Sequence, residues 1–166
     1  MDLAETIGLV DTHTPQHVIL LRLIIAATFG ALIGAEREAG HQGHAGLRTH
    51  ILIAVAAALF TLLSFEIFHM TDVMQGGRSD PIRSVEAVTA GIAFLGAGAI
   101  FRARGNVHGL TTGAGMWLAG AVGIATALGY YWIGLAVSVF AVLILAALKA
   151  FSHQVVGGDR PSGEGA

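Results

Sequence analysis

The chain has 166 residues, 54% of them hydrophobic and only 12% charged, with a mean hydropathy of +0.71. A soluble domain carries about a quarter charged residues, so a water-soluble core is not the leading account. A net charge of −2 gives no basic surface for nucleic acid, and the absence of cysteine excludes disulfides, thiolate metal sites and thiol nucleophiles.

Residues 1–16 form a short mixed segment with acidic Asp2, Glu5 and Asp11. Five apolar stretches follow, each near the roughly 20 residues that cross a bilayer. Span one runs from about His17 to Ala35 and span two from about Arg48 to Phe68. A polar loop with Gly76-Gly77 and Ser79-Asp80-Pro81 leads to span three, about Ile82 to Phe101. Span four covers about Leu110 to Leu128 and span five about Tyr131 to Lys149. Span one lacks a small-residue cleavage site and ends in Glu36-Arg37-Glu38, so it reads as a retained span and not a signal peptide. The reading is an all-α polytopic membrane protein: N-terminal segment 1–16, membrane domain 17–150, and a Gly-rich polar tail over 151–166 that is expected to be disordered.

Arg37, Arg48, Arg102, Arg104, Lys149 and Arg160 fall on one side of these spans, against Arg22, Arg78 and Arg83 on or near the other. The positive-inside rule places the six in the cytoplasm, the N-terminus outside and, after five spans, the C-terminus inside.

Small residues mark the packing faces. Gly30 and Gly34 form a Gly-x-x-x-Gly face, read first as packing within the chain, with a homodimer seam as the alternative. The run Gly91 to Ile100, holding Gly91, Gly96 and Gly98, is a poor helix in water but suits close helix approach in a bilayer. It is expected to pack tightly and to seal the space between the outer and inner charges. Gly46-Leu47-Arg48-Thr49 and Gly109-Leu110-Thr111-Thr112 open spans two and four alike, which raises an internal duplication of two hairpins.

Two charged clusters stand out. At the inner end, Glu36, Arg37, Glu38, Arg48, Thr49, Thr111 and Thr112 surround the starts of spans two and four, where free N–H groups favour negative charge. A carboxylate from Glu36 satisfying those donors is the favoured account, an anion bound there the other. At the outer end lie Arg22, Asp80, Arg83 and Glu86. Asp80 before Pro81 suits a helix N-cap. Arg22, one turn inside span one, needs a partner at that depth, and Glu86 or Asp80 is expected, with Glu66 as a further candidate. Two carboxylates at either end could hold Mg²⁺, but the neighbouring arginines are the better counter-charges. His41 and His44 have no further ligands at zinc spacing. No nucleophile–base pair, phosphate-binding loop or cofactor motif is present, so no enzyme is read here.

Arg22-Leu23, Gly30 through Glu36-Arg37-Glu38, and Ala45 through His50 resemble the first signature of the MgtC/SapB family of bacterial membrane proteins. Asp80-Pro81-Ile82-Arg83, Gly91 through Ile100, and Gly109-Leu110-Thr111-Thr112 through Trp117 resemble the others, with Ala93 and Gly113 as small-for-small departures. The resemblance covers roughly residues 20 to 150 and is to the short form without a soluble C-terminal domain. It implies a multi-pass inner-membrane protein linked to Mg²⁺ limitation, acid or other stress and, in some members, virulence. It also implies a regulatory role through contacts with itself or with a membrane complex such as ATP synthase. An ion or small-anion channel or transporter is the alternative, and a Mg²⁺ or proton sensor a second one.

Overall fold

The computed structural model describes residues 12–39, 45–75, 80–103 and 106–156. Among the described residues five long helices run alternately up and down: α1 (Gln16–Ala39), α2 (Leu47–Gln75), α3 (Pro81–Ala99), α4 (Leu110–Ala127) and α5 (Tyr131–Val156). Each contains a stretch long and apolar enough to cross a membrane. A backbone crossing hydrocarbon must satisfy its own hydrogen bonds, which is why such apolar runs become helices despite their glycines. A two-stranded antiparallel hairpin, β1 (Phe101–Ala103) with β2 (Asn106–His108), joins α3 to α4, pairing Phe101 with His108. It shortens span three, which had been expected to reach Phe101.

The helices outrun the apolar stretches elsewhere. α2 continues to Gln75, past Phe68, and α5 to Val156, six residues into the segment expected to be the tail. Residues 1–11 and 157–166 lie outside the described residues, as do Arg78, Arg104 and the loop at 40–44 that holds His41 and His44.

α1, α2 and α4 pack on one another; α3 leans on α2 and α4, and α5 on α1 and α4. α4 is the central helix, with 56% of its span buried, whereas α3 is the most peripheral, at 11%. Glycines let the central helices touch backbone to backbone. A Cβ at Gly30 would stand 2.7 Å from the His50 carbonyl oxygen, and one at Gly34 would stand 2.7 Å from Leu47 Cα. Gly123 meets the Ala54 carbonyl in the same way. The Gly30/Gly34 face therefore packs within the chain, against α2.

The Gly91–Ile100 run behaves differently from the sequence expectation. Ile92 and Gly96 turn inward, Gly96 lying against Gly113, while Gly91 and Gly98 meet nothing within 4 Å. The run lies at the edge of the bundle and so cannot be its seal. One feature of the duplication recurs: Gly30 packs on His50 and Gly96 on Gly113, each four residues past the matched Gly46 or Gly109.

Candidate functional site

The expected inner cluster gathers where α1 ends and α2 and α4 begin. Glu38 Oε2 accepts the Leu47 backbone N–H at 2.9 Å, closing the start of α2. The donor-satisfying role expected of Glu36 thus falls to Glu38, two residues on, which faces the turn into α2. Glu36 instead keeps a buried Oε2 without a hydrogen-bond partner. It shares a helix stripe with Phe29 and Ile33, about 100° round from Arg37.

Arg37 turns toward α4. One guanidinium N–H donates to Thr112 Oγ1 at 3.3 Å, and its Nε is buried and unpartnered. Beside it stands His50, wholly buried, one turn into α2. Its Nδ1 lies 2.8 Å from the Gly46 carbonyl. A carbonyl only accepts, so Nδ1 carries the hydrogen. The other ring nitrogen, Nε2, is buried with no partner. A Cβ placed on Gly115 would stand 3.0 Å from His50 Nε2 and 4.0 Å from Arg37 Nε, so both unsatisfied nitrogens border one glycine.

Thr112 is buried, whereas Arg48 and Thr111 are exposed and Thr49 turns toward the α2/α3 groove. The structure therefore brings Arg37 and Thr112 together from the expected set, with Glu38 beside them at the start of α2. The sequence placed His50 among the loop residues beside this cluster and not within it, whereas it lies inside α2. Its signal was a lone histidine inside an apolar run, four residues after Gly46.

The outer cluster does not assemble as expected. Arg22 donates to the Ala127 carbonyl at 2.6 Å and, through Nε, to the Tyr131 hydroxyl at 3.3 Å. Among the described residues its partners are the C-terminus of α4 and Tyr131, and no carboxylate. That end is built by Gly129 at φ +84°, with Gly129 N–H donating to Thr126 and Tyr130 N–H to Ala125. The left-handed residue turns the chain away and leaves the Ala127 carbonyl free for a cation. Asp80 caps α3 as expected, its Oδ1 accepting the Ile82 N–H at 2.9 Å. Arg83 and Glu86 are exposed on α3, which packs against α2 and α4 and not against the helix bearing Arg22.

Glu66 is engaged separately. Buried in α2, it accepts the backbone N–H groups of His13 and Thr14 at 2.7 and 2.9 Å, fastening the segment before α1. The His13 and His69 rings stack beside it, 3.7 Å apart. Among the described residues no group of three or more histidines and carboxylates is placed to hold a metal ion.

A groove of about 710 Å³ lies between α2 and α3, with Met116 of α4 at its base. Its lining is almost wholly apolar, with Thr49, Ser64 and Ser84 as the polar exceptions.

Comparison with known proteins gives this architecture its kin. Residues 23–154 match the MgtC family. The chain is 39% identical over 137 residues to the "Putative magnesium transporter YhiD" of Escherichia coli K12, covering 82% of this chain and 63% of that protein. It is 40% identical over 120 residues to "Protein MgtC" of Salmonella typhimurium LT2, covering 72% of this chain and 48% of the relative. The chain thus spans about half to two-thirds of the length of these relatives. No solved structure matches it. With five apolar spans and a match over most of its length, the chain is a multi-pass protein of the bacterial inner membrane and belongs to the MgtC family.

Proposed function

We propose that this protein is a regulator that works through helix contacts inside the membrane, with the outward face of α3 as the contact surface. One observation carries this reading. α3 is the least buried of the five helices and, with α4, one of the two least apolar. For α4, burial explains the small, weakly apolar residues. For α3 nothing among the described residues does: Ala87, Ala90, Gly91, Ala93, Ala97 and Gly98 are all exposed. Lipid gives no reason for small side chains, whereas a second helix does, because small residues allow close approach and good packing. The groove beside Gly91 continues the same surface. The expected orientation puts Arg83 and Glu86 at its outer end.

The link to Mg²⁺ limitation or acid stress rests on kinship, one relative being named a putative magnesium transporter. A transport role for this chain is the second reading. The backbone contacts at Gly30, Gly34 and Gly123 favour regulation over transport, because they fill the centre of the bundle.

The chain has no cysteine, so single-cysteine variants are clean probes. Ala87→Cys and Gly91→Cys are expected to crosslink in native membranes, either to a second copy or to another membrane protein, while Ile144→Cys on exposed α5 does not. Selective ion flux in proteoliposomes, abolished by neutralising Glu36 or Arg37, with no crosslink at α3, would establish transport instead.

A further inference from the structure

The segment that leads into α1 is tied to the last turns of α2 by one carboxylate and one pair of rings. Glu66 Oε2 accepts the His13 N–H at 2.7 Å and Oε1 the Thr14 N–H at 2.9 Å, so its two oxygens hold successive backbone donors. Thr12 ties the same segment to itself by donating its hydroxyl to the Thr14 carbonyl at 2.6 Å. One turn beyond Glu66, the His69 ring lies flat on that of His13, with centroids 3.7 Å apart and planes 10° from parallel. The Phe68 ring meets His69 edge-on. Glu66 is buried, His69 half-buried and His13 exposed, so protons reach the pair through His13 while the carboxylate stays covered.

This arrangement accommodates one positive charge and not two. A singly charged pair keeps a cation against the face of a neutral ring and near the Glu66 carboxylate, and both contacts are favourable. A second proton sets two cations face to face at 3.7 Å, with a single carboxylate to offset them. Their repulsion at that distance exceeds thermal energy even at the dielectric constant of water. Histidine is the side chain that changes charge between about pH 5 and 8. We propose that the His13–His69 stack and Glu66 form an acid-released clasp, which opens when both rings are charged, frees the segment before α1 and uncovers Glu66. The closed stack takes up fewer protons than the open segment, so the clasp holds above histidine's ordinary range and is lost as pH falls through it.

The other titratable groups at this end of the bundle, among the described residues, do not relieve that repulsion. His17, four residues on from His13, is exposed at the start of α1, and its own proton adds to the positive charge. Arg22 of α1 is committed to the Ala127 carbonyl and the Tyr131 hydroxyl. Tyr130 and Tyr131, from the turn into α5, are uncharged near neutral pH. On α3, Asp80 caps its own helix, and Arg83 and Glu86 are exposed. Opening is local, because α1 and α2 stay in backbone contact through Gly30 and Gly34. The clasp does not rest on the α3 contact, and either can fail alone.

The test uses the whole chain in nanodiscs and reads hydrogen exchange of the amides at positions 13 and 14 at about pH 7.5 and about pH 5. Each rate is taken relative to the intrinsic exchange rate at its own pH. Protection is expected to fall about tenfold or more in acid, while amides in the middle of α1 keep theirs. His69→Phe leaves a flat ring for His13 to stack on but takes no proton, so it should keep the clasp protected in acid. His13→Phe should do the same from the other side, and it decides if His69→Phe does not fold. Protonation of Glu66 alone would loosen these variants in acid as much as the parent chain, and that outcome overturns the histidine clasp. Equal protection at the two pH values in the parent chain overturns it outright.

Discussion

Arg22 of α1 closes the far end of α4 by donating to the Ala127 carbonyl at 2.6 Å. An arginine one turn inside a span is costly unless it finds a partner, and here the partner is the negative end of a helix. Replacing Arg22 by Gln is expected to destabilise the bundle by about 1.5–3 kcal/mol, the usual worth of a hydrogen bond to a charged group. Thermal unfolding in detergent measures it. Tyr131→Phe, which removes only the longer bond, should lower stability much less, and equal losses would contradict this ranking.

The glycines divide into two groups with opposite expectations. Gly30→Ala and Gly34→Ala push a methyl to 2.7 Å from neighbouring backbone, which cannot yield as a side chain does. Each should lower stability by about 1–3 kcal/mol through forced separation of α1 and α2. Gly91→Ala and Gly98→Ala meet open space within the chain and should leave its stability unchanged or slightly raised, while weakening crosslinking at α3. Unfolding midpoints and crosslinking yields, taken on the same four variants, separate the two groups.

Glu36 and Glu38 differ in the same spirit. Glu38→Ala removes the carboxylate that closes the start of α2 and should cost about 0.5–2 kcal/mol, seen as faster hydrogen exchange at Leu47. Glu36→Gln exchanges a buried, unpartnered carboxylate oxygen for a neutral amide, so stability should hold or rise. A large loss from Glu36→Gln would mean that its charge is matched in the native bundle.

Glu66→Gln keeps the side chain's size but offers one accepting oxygen where the carboxylate uses two. One of the His13 and Thr14 amides then loses its partner. Their hydrogen exchange should quicken about tenfold, the equivalent of roughly 1.4 kcal/mol, with α1 itself unaffected. Exchange unchanged at both amides would show that the His13–His69 stack alone holds this segment.

The five spans were legible because apolar length decides whether a helix crosses a membrane, and Asp80 was legible because its cap is made to a residue two positions away. The ends of α2 and α5 were misjudged for a related reason. Hydropathy stops at the first polar residues, while the backbone ladder runs on to Gln75 and Val156. Arg22 shows a deeper limit. The sequence called for a partner inside span one, but that partner is the carbonyl of an alanine, which no count of charged side chains contains. The run from Gly91 to Ile100 announced a close-packing surface without saying which side of it the chain itself occupies. That depends on α3 resting at the edge of the bundle, a property of the whole arrangement. His50 stayed hidden among loop charges, since only the approach of Gly34 and Gly115 shows how completely it is enclosed.

The two arginine contacts of α1 have a joint consequence. Arg22 and Arg37 stand fifteen residues apart, and so do their partners Ala127 and Thr112 on the antiparallel α4. At 1.5 Å per residue each interval measures about 22 Å, so the two helices are pinned to one another at matching stations near both membrane faces. A slip of even one residue would break both pins at once. Whatever the protein does to change shape, α1 and α4 travel as a single strut with α2 packed against both, and the freedom to slide or tilt belongs to α3 and α5.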